Sequence, residues 1–260
     1  SRIKGGRLAA AVHPAKLLTL AISDVPGDDP DAIGSGPTVG DPTTLEDARN
    51  IIAQYGLTPT AGVAAALNNP ENETLKPGDP ALSSASYKLI ATPKAALEAA
   101  AEAARAAGYD VEILGDSLEG EARDVARQHG ELARQALTQG RKVAILSGGE
   151  LTVTVSGNGS GGPNQEYSLS LAITLDGTPG ISALAGDTDG TDGGQGAADD
   201  PAGAIVFSDT LARAKENNLN AANFLENNDS TNFFKTIGDL ILCGPTMTNV
   251  NDFRVILVDP

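Results

Sequence analysis

Three aspartates lie within six residues in a glycine-rich segment, residues 186–193. They are Asp187, Asp189 and Asp192, and the surrounding glycines leave the backbone free to curl around them. Carboxylates this close repel one another unless a cation or hydrogen-bond donors compensate, so the segment predicts Mg²⁺ binding or orientation of a hydroxyl substrate. A solvated acidic turn is the alternative. An EF-hand is excluded, because glycine stands at the fourth position instead of the sixth and Ala198 stands where glutamate is required.

Two glycine-rich turns could bind phosphate through backbone N–H groups. Residues 147–150 directly follow an apolar run, and their glycines let N–H groups approach an anion without interference from a Cβ atom. The segment 157–166 contains a glycine-rich turn that leads to Pro163. Proline is a favourable first residue of a helix, and the N-terminus of a helix attracts anions. A flexible hairpin turn is the alternative for the second segment. With the polar segment 246–252, the predicted nucleotide-binding residues are Ser147, Gly148, Gly149, Glu150, Gly159, Gly161, Gly162, Asn164, Gln165 and Asn249.

Gly157, Gly159 and Gly162 also match the glycine spacing of a dinucleotide-binding loop. Against a dinucleotide site, the preceding residues 151–155 alternate threonine with apolar residues. The first strand of a Rossmann unit is instead buried on both faces and continuously apolar. We therefore interpret the match as coincidental, and an NAD(P)H-dependent reductase stays open as the alternative enzyme.

The chain around these segments has the alternating pattern of an α/β protein. Strands are predicted at residues 16–22, 87–91, 110–114, 142–146, 151–155, 180–184 and 252–258, and the first of them is expected to be buried. Helices are predicted over 94–107, 119–139 and 163–173, and one further helix is capped by residues 41–44 and ends at residue 55. The strict alternation of 151–155 predicts one wet face and hence a mixed second sheet. A polar stretch at 68–86 predicts a boundary between two domains, residues 1–82 and 83–260.

Composition narrows the classes of partner. The 260 residues carry a formal net charge of −16, which disfavours nucleic acid and anionic membrane surfaces. No apolar run reaches the length of about 18 residues that a membrane span needs. The one cysteine, Cys243, cannot form a disulfide within the chain and is expected to be buried, which favours a reducing, cytoplasmic location. His129 is expected to pack in the core instead of binding metal.

Taken together, these segments resemble the glycerate 2-kinase family, whose C-terminal half is called the MOFRL domain and whose members were often labelled hydroxypyruvate reductases. The matching segments are residues 3–6, 23–28, 34–38, 114–116 with 119–122, 147–150, 161–162 with 164–166, 186–193 and 248–252. The resemblance covers essentially the whole chain, and its motifs are specific in combination although each is weak alone.

The resemblance implies two α/β/α sandwich domains, the first a partial Rossmann-like domain and the second of MOFRL type with a mixed sheet. It implies phosphorylation of D-glycerate at its 2-hydroxyl with ATP and Mg²⁺, in a cleft between the domains. Asp24, after the first predicted strand, is the expected group that orients or deprotonates the hydroxyl. Pro163 replaces an arginine of some relatives, so Lys4, Arg7 or Arg254 is expected to supply that charge, and Lys4 is grouped with Asp24 as catalytic.

Three further expectations follow from the resemblance and the residues together. Family members carry an additional N-terminal stretch, so the first domain is expected to be incomplete, and the partners are expected to be that missing portion or a second copy in a homodimer. A calcium-binding module without enzymatic activity, built on residues 187–192, is the non-enzymatic alternative.

Overall fold

The computed structural model describes residues 1–194 and 196–260. The chain folds into two compact units, Ser1–Ile90 and Ala91–Pro260. The assignment of residues 1–82 and 83–260 to two named domains remains a prediction.

The first unit is built on a two-stranded sheet of β1 (Leu17–Ile22) and β2 (Ala85–Ala91). Its helices are α1 (Arg7–Val12), α2 (Leu45–Gln54) and α3 (Ala61–Leu67), with short 3₁₀ turns at Ile33–Ser35, Pro70–Asn72 and Pro80–Leu82. Helix α2 begins where the sequence predicts: the Thr44 hydroxyl accepts the N–H of Asp47, and the Asp47 carboxylate accepts the N–H of Thr44. This reciprocal cap satisfies two backbone donors that the helix itself cannot pair.

Two expectations for this unit are wrong. Strand β1 is not buried throughout, because Leu18 and Leu20 are 62% and 56% exposed. Successive side chains of a strand point to opposite faces of a sheet. The described residues of this unit cover only one face of the β1–β2 sheet, so Leu18 and Leu20 on the other face are exposed. The strand predicted at 87–91 does not join the second sheet but pairs with β1.

The second unit has a six-stranded mixed sheet in the order β3-β4-β8-β5-β6-β7, as predicted for the second sheet. The strands are β3 (Asp110–Gly115), β4 (Val143–Ser147), β5 (Ile181–Asp187), β6 (Gly203–Val206), β7 (Leu240–Ile241) and β8 (Asp252–Val258). Among the described strands of this sheet, only the β3–β4 pair is parallel, and β8 runs antiparallel to both β4 and β5. Strands β6 and β7 are too short to have been predicted from periodicity.

Helices cover both faces of this sheet. They are α4 (Pro93–Ala106), α5 (Ala122–Thr138), α6 (Pro163–Leu175), α7 (Thr210–Glu216), α8 (Ala221–Glu226) and α9 (Ser230–Ile237). Leu97 and Ala101 of α4 pack with Leu146 on one face. The main core lies on the other face, where α5 and α6 pack against alternate residues of the same strands, such as Ile145 and Ile256. His129 is buried in this layer, as expected.

Residues 151–155 do not form the predicted strand. Leu151 and Val153 pack into the core, which accounts for the alternation, but both edges of β4 are already paired with β3 and β8. The backbone of the segment therefore bonds elsewhere: Thr152 forms an isolated bridge with Glu121, and the N–H of Thr154 donates to the Glu121 carboxylate at 2.6 Å. Alternation indicates which side chains are buried but does not supply a partner strand.

Cys243 is exposed, contrary to expectation, because β7 ends at Ile241 and the chain leaves the sheet before the cysteine. Among the described residues, no helix is long and apolar enough to cross a membrane.

Candidate nucleotide and metal site

The candidate site lies at one edge of the six-stranded sheet, where β4 and β5 end and β8 begins. Ser147 lies opposite Arg254, and Asp187 lies opposite Asp252. Since β4 and β5 both run antiparallel to β8, the turns that follow them leave the sheet at the same edge. The structure thus brings together three of the segments singled out in the sequence, residues 147–150, 186–193 and 246–252.

Arg254 occupies the centre of this edge and is 1% exposed. Its guanidinium donates to the carbonyl oxygens of Gly148 and Gly149, both at 3.0 Å, and to the Asp252 carboxylate at 2.6 Å. It also lies over the Tyr167 ring, 5.7 Å from the ring centroid. Arg254 therefore stabilises the turn after β4 from the buried side of that turn and does not extend into solvent.

Asp252 links Arg254 to the start of helix α6. Its Oδ1 accepts the side-chain amide of Asn164 at 2.6 Å, and its Oδ2 accepts Arg254 and the N–H of Leu151 at 3.4 Å. The buried ion pair is thus fully hydrogen-bonded at its carboxylate, as a buried charge requires. The two ends of this network are the turn after β4 and the N-terminus of α6.

Asp192 caps helix α6 from the acidic segment. One carboxylate oxygen accepts the N–H and side-chain amide of Asn164 at 2.9 and 3.2 Å, and the other accepts the N–H and side-chain amide of Gln165 at 2.8 and 2.9 Å. Burial raises the pKa of Asp192 to about 6, although these hydrogen bonds act in the opposite direction. Gly162 permits the approach, because a Cβ there would overlap the backbone of Asp192.

Asp187 and Asp189 form a close pair of carboxylates at the end of β5. Burial raises the pKa of Asp187 to about 7; the N–H of Asp189 opposes this shift by donating to Asp187 at 2.9 Å, whereas the charges of Asp189 and Asp252 add to it. The Thr188 hydroxyl between them donates to the Asn251 carbonyl at 2.7 Å and fixes the segment to the turn before β8.

The three predicted metal ligands, Asp187, Asp189 and Asp192, are not equally able to bind a divalent cation. The oxygens of Asp192 already accept four hydrogen bonds, whereas Asp187 and Asp189 are mutually repelling carboxylates that a cation would stabilise. Within residues 1–194 and 196–260, no group of three or more His, Cys, Asp or Glu side chains is placed to hold a metal ion alone. Mg²⁺ is commonly held by one or two protein carboxylates with waters and phosphate oxygens, and the Asp187–Asp189 pair fits that arrangement.

The glycine turn before α6 is occupied by another part of the chain. The N–H groups of Ser156 and Gly157 donate to the Asn228 side chain at 2.8 and 2.9 Å, and those of residues 158–160 donate to oxygens of Asn227 and Asp229 at 2.9 to 3.1 Å. A phosphate would have to displace these acceptors. The turn follows no strand, which also separates it from a dinucleotide-binding loop.

A buried ion pair holds that acceptor segment in place. Glu166, 2% exposed, accepts two hydrogen bonds from the Arg123 guanidinium at 2.7 and 2.8 Å and one from the Asn228 amide at 2.9 Å. The amide orientation of Asn228 is therefore set, with its oxygen toward the glycine turn.

The remaining predicted residues lie as follows. Asn249 is in the turn before β8, where its side chain accepts the N–H of Asn251 at 2.9 Å. Asp24 and Lys4 belong to the first unit: Asp24 is exposed after β1, and Lys4 donates to the Ser35 hydroxyl at 3.3 Å. Arg7 is engaged by three backbone carbonyls of the same unit.

Sequence reasoning missed the residues that organise the edge. Asp252 was considered only as part of the polar segment 246–252, Arg254 only as a direct contact, and the acceptors of residues 227–229 not at all. One signal was available for Arg254: an arginine in the middle of an apolar strand is costly unless it is paired. Nothing in the sequence links residues 227–229 to a turn about seventy positions earlier.

Comparison with known proteins yields two family models and a consistent set of relatives. A model described as the MOFRL family matches residues 143–252, and a domain of unknown function, DUF4147, matches residues 1–68. An Agrobacterium vitis protein with the provisional name hydroxypyruvate reductase is 52% identical over 99% of the chain, and a Thermotoga maritima D-glycerate 2-kinase is 38% identical over 99%. A Macaca fascicularis glycerate kinase is 30% identical, and the chain covers 76% of its length.

Solved structures agree with the sequence relatives. The crystal structure of a glycerate kinase from Thermotoga maritima superposes with a TM-score of 0.88 at 38% identity, covering 99% of this chain and 61% of that one. A Pyrococcus horikoshii protein superposes with a TM-score of 0.83 at 36% identity, covering 100% and 60%. The chain spans 58% of the Agrobacterium relative and 60% of the Thermotoga relative.

Proposed function

This chain belongs to the glycerate 2-kinase family, and from that membership we propose that the protein transfers the γ-phosphoryl group of ATP to the 2-hydroxyl of D-glycerate, forming 2-phosphoglycerate and ADP. The observation that carries the proposal is the convergence of the turn after β4, the Asp187–Asp189 pair and the turn before β8 at one sheet edge. Relatives named glycerate kinase support the reaction class. Because the chain spans about three-fifths of the first relatives, the activity is proposed for the whole protein.

We assign the nucleotide phosphates to the turn after β4. Phosphoryl transfer requires a protein chiefly to position its reactants and to neutralise charge on the moving group. With a net charge of −16, the chain can attract an anionic nucleotide only where backbone N–H groups and a metal ion reverse the local field. Asp187 and Asp189 would hold Mg²⁺, which neutralises phosphate charge when bound; Asp192 serves mainly to fix the N-terminus of α6.

We assign the hydroxyl substrate to residues of the first unit. Asp24 is exposed at the end of β1 and is free to orient the 2-hydroxyl or to take its proton as the oxygen attacks phosphorus and the bond to ADP breaks. Lys4 would neutralise the glycerate carboxylate or the transferred group. Both roles follow the family resemblance.

The rival reaction is reduction of hydroxypyruvate by NAD(P)H, favoured by the provisional name of the Agrobacterium relative. The engaged N–H groups of residues 156–160 argue against a dinucleotide at the matching glycines. For the calcium-module alternative, a dedicated Ca²⁺ site usually draws most of its six to eight oxygen ligands from the protein, whereas a pair of carboxylates completed by waters and phosphates is typical of Mg²⁺. A cytoplasmic location is part of the proposal and rests on the lone cysteine.

One assay pair tests the proposal. Purified protein is mixed with D-glycerate and Mg-ATP, ADP formation is followed, and the product is identified by ³¹P NMR; NADH oxidation by hydroxypyruvate is measured in parallel. We expect ADP and 2-phosphoglycerate in equal amounts. NADH oxidation without glycerate-dependent ADP formation would overturn the proposal in favour of the reductase.

A further inference from the structure

We infer that Arg254 is a positioning residue for the nucleotide: it holds the carbonyls of Gly148 and Gly149 inward, and thereby turns the N–H groups of Gly149 and Glu150 toward the phosphate oxygens. This inference rests on the proposed kinase function and specifies how its phosphate site is built. It differs from the expectation that Arg254 contacts substrate directly.

The direction of the N–H groups follows from peptide geometry. In a trans peptide, the C=O of one residue and the N–H of the next point in opposite directions. The Gly148 and Gly149 carbonyls both accept hydrogen bonds from Arg254, so the N–H groups of Gly149 and Glu150 point away from that buried cation. Neither N–H has an acceptor among residues 1–194 and 196–260. Two successive N–H groups with a shared direction are the arrangement that backbone anion sites use. Of these two residues Glu150 is exposed and Gly149 is buried, so the anion would approach from the Glu150 side.

The conformation of the turn depends on glycine. Gly149 has a φ of +92°, and a Cβ there would overlap the backbone of Leu118. Most of the other predicted N–H donors, those of residues 156–160, 164 and 165, already donate to internal oxygens. The N–H groups of Gly161 and Gly162 have no acceptor among the described residues, but Gly162 lies against the Asp192 carboxylate, which would repel a phosphate. The turn over Arg254 is therefore the better-supported place for phosphate.

Arginine is required by the number and direction of its donors. Its two terminal nitrogens donate to two carbonyls and to the Asp252 carboxylate at once. A lysine ammonium keeps the charge but cannot reproduce that set of contacts. Arg254→Lys therefore preserves the neutralisation of Asp252 while releasing at least one of the two carbonyls.

The test compares Arg254→Lys with Arg213→Lys. Arg213 is a matched control because its guanidinium also binds a backbone carbonyl, of Ile237 at 2.9 Å, and a carboxylate, of Asp239 at 2.6 Å, away from the candidate site. Calorimetry measures the affinity of each protein for Mg-ATP, adenosine and inorganic tripolyphosphate, and thermal unfolding measures the structural cost of each change. We expect Arg254→Lys to lose about ten- to a hundredfold in affinity for Mg-ATP and tripolyphosphate, with adenosine affinity unchanged.

We expect Arg213→Lys to lower the unfolding temperature without changing either phosphate affinity. Equal phosphate affinities in Arg254→Lys and wild type would overturn the inference, and so would an equal loss for adenosine, which has no phosphate. Glycerate-dependent ADP formation by the wild type is recorded separately. If tripolyphosphate binding is weakened in Arg254→Lys but the wild type forms no ADP in the presence of glycerate, the inference is sustained and the proposed substrate is refuted.

A second measurement does not depend on a folded variant. Amide ¹H–¹⁵N spectra of the wild-type protein are followed during titration with tripolyphosphate. We expect the largest shifts at Gly149 and Glu150. Largest shifts at residues 157–160, or no shifts in the 148–150 turn, would overturn the inference.

Discussion

At the scale of single residues, the carboxylates at the sheet edge have different environments and hence different roles. Asp252 is neutralised by Arg254 at 2.6 Å, and Asp192 is held by four N–H donors. Asp187 lies half-buried beside Asp189 and opposite Asp252, and its pKa is raised to about 7 by burial and by these negative neighbours. A cation would relieve that repulsion.

Asp187→Asn tests the metal role. The amide would still accept the N–H of Asp189, so the fold should persist, but it would bind a divalent cation weakly. We expect kcat/KM for Mg-ATP to fall by about a hundredfold and the Mg²⁺ concentration for half-maximal activity to rise. Asp199→Asn, at an exposed aspartate, is the control. Unchanged Mg²⁺ dependence in Asp187→Asn would exclude Asp187 as a ligand.

The buried His129 should make the free energy of unfolding depend on pH. Its Nδ1 lies 2.9 Å from the Tyr167 hydroxyl, and burial, with a smaller contribution from the charge of Arg254, lowers its pKa from 6.5 to about 4. Between these values the unfolded chain binds a proton that the folded protein does not, so the free energy of unfolding falls as pH decreases from 6.5 toward 4. The effect at pH 5 should be on the order of 2 kcal/mol.

Urea unfolding of wild type and His129→Gln between pH 8 and 4 measures this contribution. We expect the wild-type stability to decline more steeply below about pH 6.5, since only the wild type carries the buried imidazole. Curves that run parallel over the whole range would show that His129 does not contribute to the pH dependence.

At the scale of elements, helix α6 connects the parts of the site. Its N-terminus is bound by Asp192, its Asn164 amide is bound by Asp252, and its Glu166 pairs with Arg123. The first turn of a helix leaves N–H groups unpaired, and here an internal carboxylate satisfies two of them. The acidic segment and the helix therefore form one structural unit.

Asp192→Ala should weaken that unit. Loss of a helix cap costs about 1 to 2 kcal/mol, and the buried amides of Asn164 and Gln165 would also lose their acceptor. We expect the urea midpoint to fall by more than in Asp199→Ala, where an exposed carboxylate of the same loop region is removed. Equal midpoints for the two variants would contradict the capping role.

The sequence predicted the elements well and their long-range partners poorly. Helices α2, α4, α5 and α6 and strand β8 were foreseen, because periodicity and caps are local signals. Local chemistry alone predicts phosphate binding at the glycine turn 157–160. Its N–H groups are taken by residues 227–229, and such pairing depends on how distant segments meet.

At the scale of the molecule, we propose that an acidic chain binds an anionic nucleotide through backbone N–H groups and a metal ion, without a cationic surface. The net charge disfavours nucleic acid and anionic membranes as partners, and the glycine and aspartate segments remain the predicted location of the chemistry. The sheet order β4-β8-β5 was not predictable, because the last strand inserts between two earlier ones. That insertion places Arg254 and Asp252 between the turn after β4 and the carboxylates after β5.

A crystal structure with Mn²⁺ and a non-hydrolysable ATP analogue, in which anomalous scattering locates the metal, would show directly whether nucleotide and metal bind at this end of the sheet. We expect a manganese peak on the Asp187 and Asp189 carboxylates, and phosphate oxygens hydrogen-bonded to the N–H groups of Gly149 and Glu150. Manganese bound away from both aspartates, or phosphates seated on residues 157–160, would contradict the proposal.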